Sequence, residues 1–255
     1  MDLSTVCERY DERLSPGAYA DVDASANGLQ VGPDEADVET VAFAVDAAGA
    51  TIETATDRGA DLLVVHHGLS WGGIDRVTGL DYERIAPLVE SDIALYAMHL
   101  PLDGHDDLGN AAGVADLLGL ESREPFGELG PVTIGQRGRT SEPFASDELA
   151  TLLEAELDTG GEGVQHFDFG PDEIEDVAVV TGGGADWLEE AVDAGVDAFV
   201  TGEGKGKVYH QARDAGVNVF LGGHYATETF GVRALQELAD EWGLETTYVD
   251  HPTGL

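Results

Sequence analysis

Cysteine is almost absent from this chain of 255 residues: Cys7 is the only one. That excludes an intrachain disulfide and any thiolate-rich zinc site. Cys7 itself reads as a small apolar residue on an N-terminal helix. Basic residues are scarce as well, 12 against 51 acidic, for a net charge of −39, and Lys205 and Lys207 are the only lysines. Binding to nucleic acid needs cations against phosphate, so it is disfavoured as a general function. The acids are spread along the chain rather than gathered in a tail, which matches adaptation to a high-salt cytoplasm where screening suppresses self-repulsion. No apolar run approaches the ~20 residues of a membrane span. No charged segment followed by an apolar stretch opens the chain, so no signal peptide is expected and a cytoplasmic location is. A Gly-x-Ser-x-Gly elbow is missing too, and Cys7 lacks a local catalytic signature.

What the sequence does have is histidine at the ends of apolar runs. Leu62 to Val65 ends in His66-His67, Ile93 to Met98 in His99, and Val217 to Leu221 is followed by His224. His99-Leu-Pro-Leu-Asp103 and His224-Tyr-Ala-Thr-Glu228 each add a carboxylate four residues on. Neutral nitrogen together with hard oxygen is the donor mixture of a divalent metal site.

An internal repeat ties these motifs together. Val41 to Val45 reappears as Val177 to Thr181, and Asp57 to Gly68 as Asp193 to Gly204, both at an offset of 136. The next strand shifts the offset to 125, aligning His99 with His224 and Asp103 with Glu228. With 42% hydrophobic residues, the expected fold class is α/β: two related, interlinked α/β domains. The strands are continuously apolar, as in sheets covered by helices on both faces. Residues 1–125 plus about 225–255 are expected to form the first domain and 126–224 the second, with the Gly- and Glu-rich stretch from Glu121 to Pro131 as the boundary.

Helices are expected at Leu3 to Leu14, Ser146 to Leu157 and Ala226 to Trp242, the last stopped by Gly243. Strands are expected at Val132–Ile134 and Thr246–Val249. On the last helix Val232, Leu235, Ala239 and Trp242 form an apolar stripe, and Glu228 lies on it. A carboxylate on a buried face needs a partner, and a metal is one; an acid favoured by the helix dipole is the competing reading.

The segments Asp61-Leu-Leu-Val-Val-His-His-Gly68, His99-Leu-Pro-Leu-Asp103 with Leu108-Gly-Asn110, Thr201-Gly-Glu203 and Gly223-His-Tyr-Ala-Thr-Glu228 resemble, in order and spacing, the signatures of the GTP cyclohydrolase I type 2 family of Nif-type dinuclear metal-centre proteins. The likeness runs from Asn27-Gly-Leu29 to the last helix. It departs from the family pattern at Ser25-Ala26, in place of Trp-Asp, and at Gly68-Leu69, where Pro often follows the double histidine. The resemblance implies metal ligands at His66, His67, Asp103, His224 and Glu228, two divalent ions per chain (Fe, Mn, Zn or Ni) between the halves, and a toroidal homohexamer. It implies a small-molecule substrate, a purine nucleotide such as GTP, whose imidazole ring hydroxide would open by attack at C8.

Two further residues are candidates for catalysis. His99 orients Asp103, shuttles protons or is a structural histidine, and Glu203 either reaches the site or is a surface acid. Thr181-Gly-Gly-Gly reads as a phosphate cradle or as a tight turn. Lys205 and Lys207 form a positive spot suited to a nucleotide phosphate, and His210 is open to a packing or a substrate-facing role. Another two-metal hydrolase, such as a phosphoesterase, and a non-catalytic metal-binding scaffold are the alternatives to a cyclohydrolase.

Overall fold

A computed structural model describes residues 1–33 and 35–255. In chain order the strands are β1 (Gly28–Val31), β2 (Thr40–Asp46), β3 (Leu62–His67), β4 (Ala94–Ala97), β5 (Leu120–Leu129), β6 (Val132–Ala145), β7 (Gln165–Phe167), β8 (Glu173–Val180), β9 (Ala198–Thr201), β10 (Asn218–Leu221) and β11 (Glu245–Tyr248). They form two sheets within a mixed α/β chain, in two compact units.

The first unit comprises Met1–Leu102 and Gly231–His251. Its sheet has the order β1-β4-β3-β2-β11, with β1 antiparallel at one edge and the remaining pairs parallel. β4 is buried throughout, and β2 and β3 are buried except at their ends. This accounts for their unbroken apolar sequence: neither face meets water. Removing one such side chain, for example Leu63→Ala, would cost about 2–5 kcal/mol. The helix Leu3–Leu14 begins where the Asp2 carboxylate accepts from the Ser4 backbone N–H, and it buries Leu3, Val6, Tyr10 and Leu14. Cys7 is half-buried, and burial pushes its thiol up to about 12, so it carries no thiolate. The helix Leu80–Glu90 is different, burying only Leu88.

The second unit comprises Asp103–Phe230 and Pro252–Leu255. Its sheet order is β5-β6-β8-β9-β10-β7, with β8, β9 and β10 parallel and the rest antiparallel. The stretch from Glu121 to Pro131 is not a boundary. It is most of β5 and the turn into β6, a long hairpin of which the expected strand Val132–Ile134 is only the start of the second arm; many exposed polar residues mask the rest. Cross-strand pairs such as Glu124 with Arg137 (2.7 Å) decorate it. Residues 103–125, grouped with the first half on sequence, supply Ala111, Val114, Ala115, Leu118 and Leu120 to the core of the second unit.

The repeat is visible in the strand pairing. Val41 pairs with Leu62 and Val177 with Ala198, the same register at an offset of 136. Leu62 pairs with Ala94 and Ala198 with Asn218, which sets the offset of the next strand at 124. The histidines remain 125 apart because Gly222 and Gly223 precede His224, whereas Met98 alone separates β4 from His99. Among the described residues, no helix is long and apolar enough to cross a membrane.

The last helix is broken rather than continuous from Ala226. A short turn of helix, His224–Thr227, ends at Glu228 (φ −106°, ψ 8°), and Thr229–Glu241 follows. Val232, Leu235 and Ala239 are buried as the stripe predicts.

Candidate metal centre

Three imidazoles converge at the strand ends of the first unit. One nitrogen from each of His66, His67 and His99 lies within 4.8 Å of the others. The parallel pairing of β2 and β3 sets Asp46 beside His67, and the Asp46 carboxylate takes the Nδ1 of that ring at 2.9 Å. His66 places Nδ1 3.0 Å from the Met98 carbonyl, which can only accept, so Nδ1 carries the proton. The carboxylate that His99 meets is Asp23, at 2.8 Å from Nδ1. In each ring an oxygen acceptor stands at Nδ1, which leaves Nε2 as the nitrogen that could hold a metal ion.

Asp23 is itself tightly held. It accepts from the Asn27 amide (2.8 Å), the Leu100 backbone N–H (3.0 Å) and the Ser25 backbone N–H (2.9 Å). Burial alone would raise its pKa, but the bonds from His99 and Asn27 outweigh it and hold the carboxyl below the ordinary range. Asn27, whose neighbours carry the departure from the family pattern, also accepts the His99 backbone N–H at 2.7 Å.

The second unit carries carboxylate oxygens and one more imidazole. Asp103, 7% exposed, accepts from the Asn110 amide at 2.8 Å and from the Thr181 hydroxyl at 3.4 Å. One of its oxygens lies within 4.8 Å of the carboxylate of Glu228, which is 3% exposed. His224 meets Glu228 through Nε2 at 3.2 Å and Glu203 through Nδ1 at 3.1 Å. Burial disfavours the imidazolium, but the two carboxylates outweigh it and raise the His224 pKa to about 9. A divalent ion would replace that proton.

Gly182 makes room for this arrangement. Its φ of +56° lies in the left-handed region, and a side chain there would collide with a Glu228 carboxylate oxygen. Its N–H donates to the Thr227 hydroxyl at 3.0 Å, and its carbonyl accepts from the Glu203 N–H at 2.9 Å. The Thr181-Gly-Gly-Gly segment is thus a tight turn fitted against Glu228.

Other sequence candidates fall elsewhere. Lys205 and Lys207 both pair with Asp186, Lys207 at 2.9 Å, so one carboxylate offsets part of the positive spot. His210 is exposed, with its ring edge-on to Tyr209. Sequence reasoning missed Asp23 and Asp46. Asp46 closes an apolar strand one residue past the repeat match, but an acid is a weak signal in a chain with 51 of them.

The residues present fit a transition-metal site. Imidazole nitrogen and carboxylate oxygen converge in each unit, the rings are locked by oxygen acceptors, and His66, Asp103 and Glu228 are buried. The profile of the Duf34/NIF3 family (NGG1p interacting factor 3) matches residues 1–253. The chain belongs to the DUF34/NIF3 family. A Halobacterium salinarum protein named GTP cyclohydrolase 1 type 2 homolog is 61% identical over 255 residues, covering 100% of both chains. A Pyrococcus horikoshii protein of the same name is 44% identical over 256 residues, again with 100% of both covered. The solved structure of protein ybgI, described as of unknown function, is similar at a TM-score of 0.90 and 36% identity over 100% of both chains. A crystal structure of a Thermus thermophilus protein gives the same figures.

Proposed function

We propose that this NIF3-family chain is a metal-dependent hydrolase that opens the purine ring of GTP or a related nucleotide. Its proposed metal ligands are His66 and His67 in the first unit and Asp103, His224 and Glu228 in the second. The observation that carries the reading is the state of the imidazoles. His66, His67 and His99 are each fixed at Nδ1 by an oxygen acceptor, the arrangement that orients a ligating histidine. The names borne by the 61% and 44% identical relatives favour GTP. Two divalent ions held there would supply Lewis acidity and a water acidic enough to react near neutral pH.

The protein's own part is orientation and proton handling. Asp46 and Asp23 hold His67 and His99 in one tautomer, and Asn110 and Thr181 aim the Asp103 carboxylate. His99 lies against both of the other rings, with centroids 5.1 Å from His66 and 5.6 Å from His67. That places it to serve as a further ligand or to hold a proton at Nε2. Glu203, 51% exposed, steadies His224 from the solvent side.

The test is to supply metal-reconstituted protein with GTP and follow formate and phosphate. Formate released by the native chain and abolished in Glu228→Gln supports the proposal. Phosphate without formate identifies a phosphoesterase instead. Neither product leaves a binding or scaffold role.

A further inference from the structure

We infer that Trp71 is the stacking platform for a planar heteroaromatic ring, of the purine type, bound beside the histidine cluster of the first unit. The choice of a purine rests on the function proposed above; the platform rests on the geometry of Trp71. Large aromatic rings normally bury most of their surface, yet Trp71 is 45% exposed. Its ring lies 4.9 Å from His99, edge to face, and 6.0 Å from His67. An open indole in contact with two of the three clustered imidazoles is placed to hold whatever approaches them.

The ring is also fixed before any ligand arrives. Trp71 forms a β-bridge with Ser25, and backbone bonds from Ala26 to Ser70 (3.0 Å) and from Gly72 to Ala24 (2.6 Å) flank it. The Gln30 amide oxygen accepts from the Leu69 and Ser70 N–H groups, and the indole N–H donates to the Gly68 carbonyl at 3.1 Å. Little ordering cost is left for binding.

Trp71 opens onto a cavity of about 710 Å³ that is also lined by Leu69, Ile74, Arg76, Thr78 and Asp81. This lining combines an aromatic face and aliphatic carbon with both donors and acceptors. It suits a flat ring with polar edges better than a hydrocarbon or a bare anion. Arg76 makes no ion pair among the described residues, unlike Arg123, Arg137, Arg139 and Arg233, so its guanidinium is available to a ring carbonyl.

The experiment titrates guanosine, which lacks phosphate, into metal-free protein by calorimetry, which reads the affinity of every variant, and follows tryptophan fluorescence in the native chain, with ribose 5-phosphate as the ring-free control. Guanosine should perturb the emission of the native chain, and ribose 5-phosphate should not. Trp71→Ala should weaken guanosine binding between about 5- and 100-fold, and Trp71→Phe should restore most of it. Metal content and elution volume should match the native chain in both variants. Unchanged affinity in Trp71→Ala, or no binding of guanosine at all, overturns the inference. So does a Trp71→Ala variant that alters the elution volume alone, which would make the ring a contact between copies. Formate release from GTP with a KM indifferent to Trp71 also defeats the platform and leaves the proposed function standing. Trp71-dependent guanosine binding without formate does the reverse.

Discussion

The strands β2-β3-β4 and β8-β9-β10 share their direction and, at corresponding positions, their register, yet their ends carry different chemistry. In the first unit Asp46 stands beside His67 and clamps it. At the same offset the second unit has Gly182 and Glu203, and the space an acidic side chain would fill at Gly182 is taken by Glu228. The first unit thus gathers nitrogen donors, each backed by an oxygen acceptor. The second gathers oxygen donors around one imidazole. The comparison teaches that the backbone fixes where a side chain points, while the residue at each strand end decides what it can bind.

The largest effect should come from the imidazole of the second unit. His224→Ala is expected to lower the metal bound per chain from about two to one or fewer, read by elemental analysis. Next is Gly182→Ala, which combines a φ of +56° with a collision at Glu228. Its unfolding free energy should fall by about 2 kcal/mol or more in denaturant titration. An unchanged midpoint would show that the turn yields freely and that the packing against Glu228 is not constraining.

The acceptors behind the rings should rank by exposure. Asp46→Ala is expected to weaken metal binding about 10–100-fold. Glu203→Ala, at a 51% exposed side chain, should cost less. Equal effects would erase the distinction drawn between the units.

Proton competition gives a further handle. The His224 pKa is raised from 6.5 to about 9, so its pairing with Glu228 and Glu203 stabilises the metal-free fold below about pH 6.5. That contribution is lost as pH rises through about 9. Metal affinity runs the other way and should climb with pH until about 9, because the ion displaces the proton. His224→Asn should flatten the stability profile of the metal-free protein in this window. The smallest effect is expected from Lys205→Ala with Lys207→Ala. Their exposed pairs with Asp186 are worth little, and the unfolding midpoint should move by only a degree or two.

The parts of the fold that were legible in the sequence are those with a one-sided physical signal. β2, β3, β4, β9 and β10 are buried along most or all of their length and so are written in unbroken apolar residues. Of the β5–β6 hairpin only Val132–Ile134 was legible; the rest was hidden because its exposed residues are polar, charged or proline, with Ser122 at φ +51° and a register shift between Glu121 and Glu124. The break at Glu228 was also invisible, since an amphipathic stripe does not reveal a single residue leaving helical geometry. Within the candidate site the histidines stood out because the chain has only 8. Asp23 and Asp46 did not, because their roles come from strand pairing and loop closure rather than from spacing along the chain.

The most direct test of the account is the binding of a divalent metal to chelator-stripped protein in high salt, counted per chain at saturation. The account predicts close to two ions, with binding weakened in both Asp46→Ala and His224→Ala. No saturable binding in the folded native chain would contradict it, because the clamped imidazoles and buried carboxylates would then hold no metal.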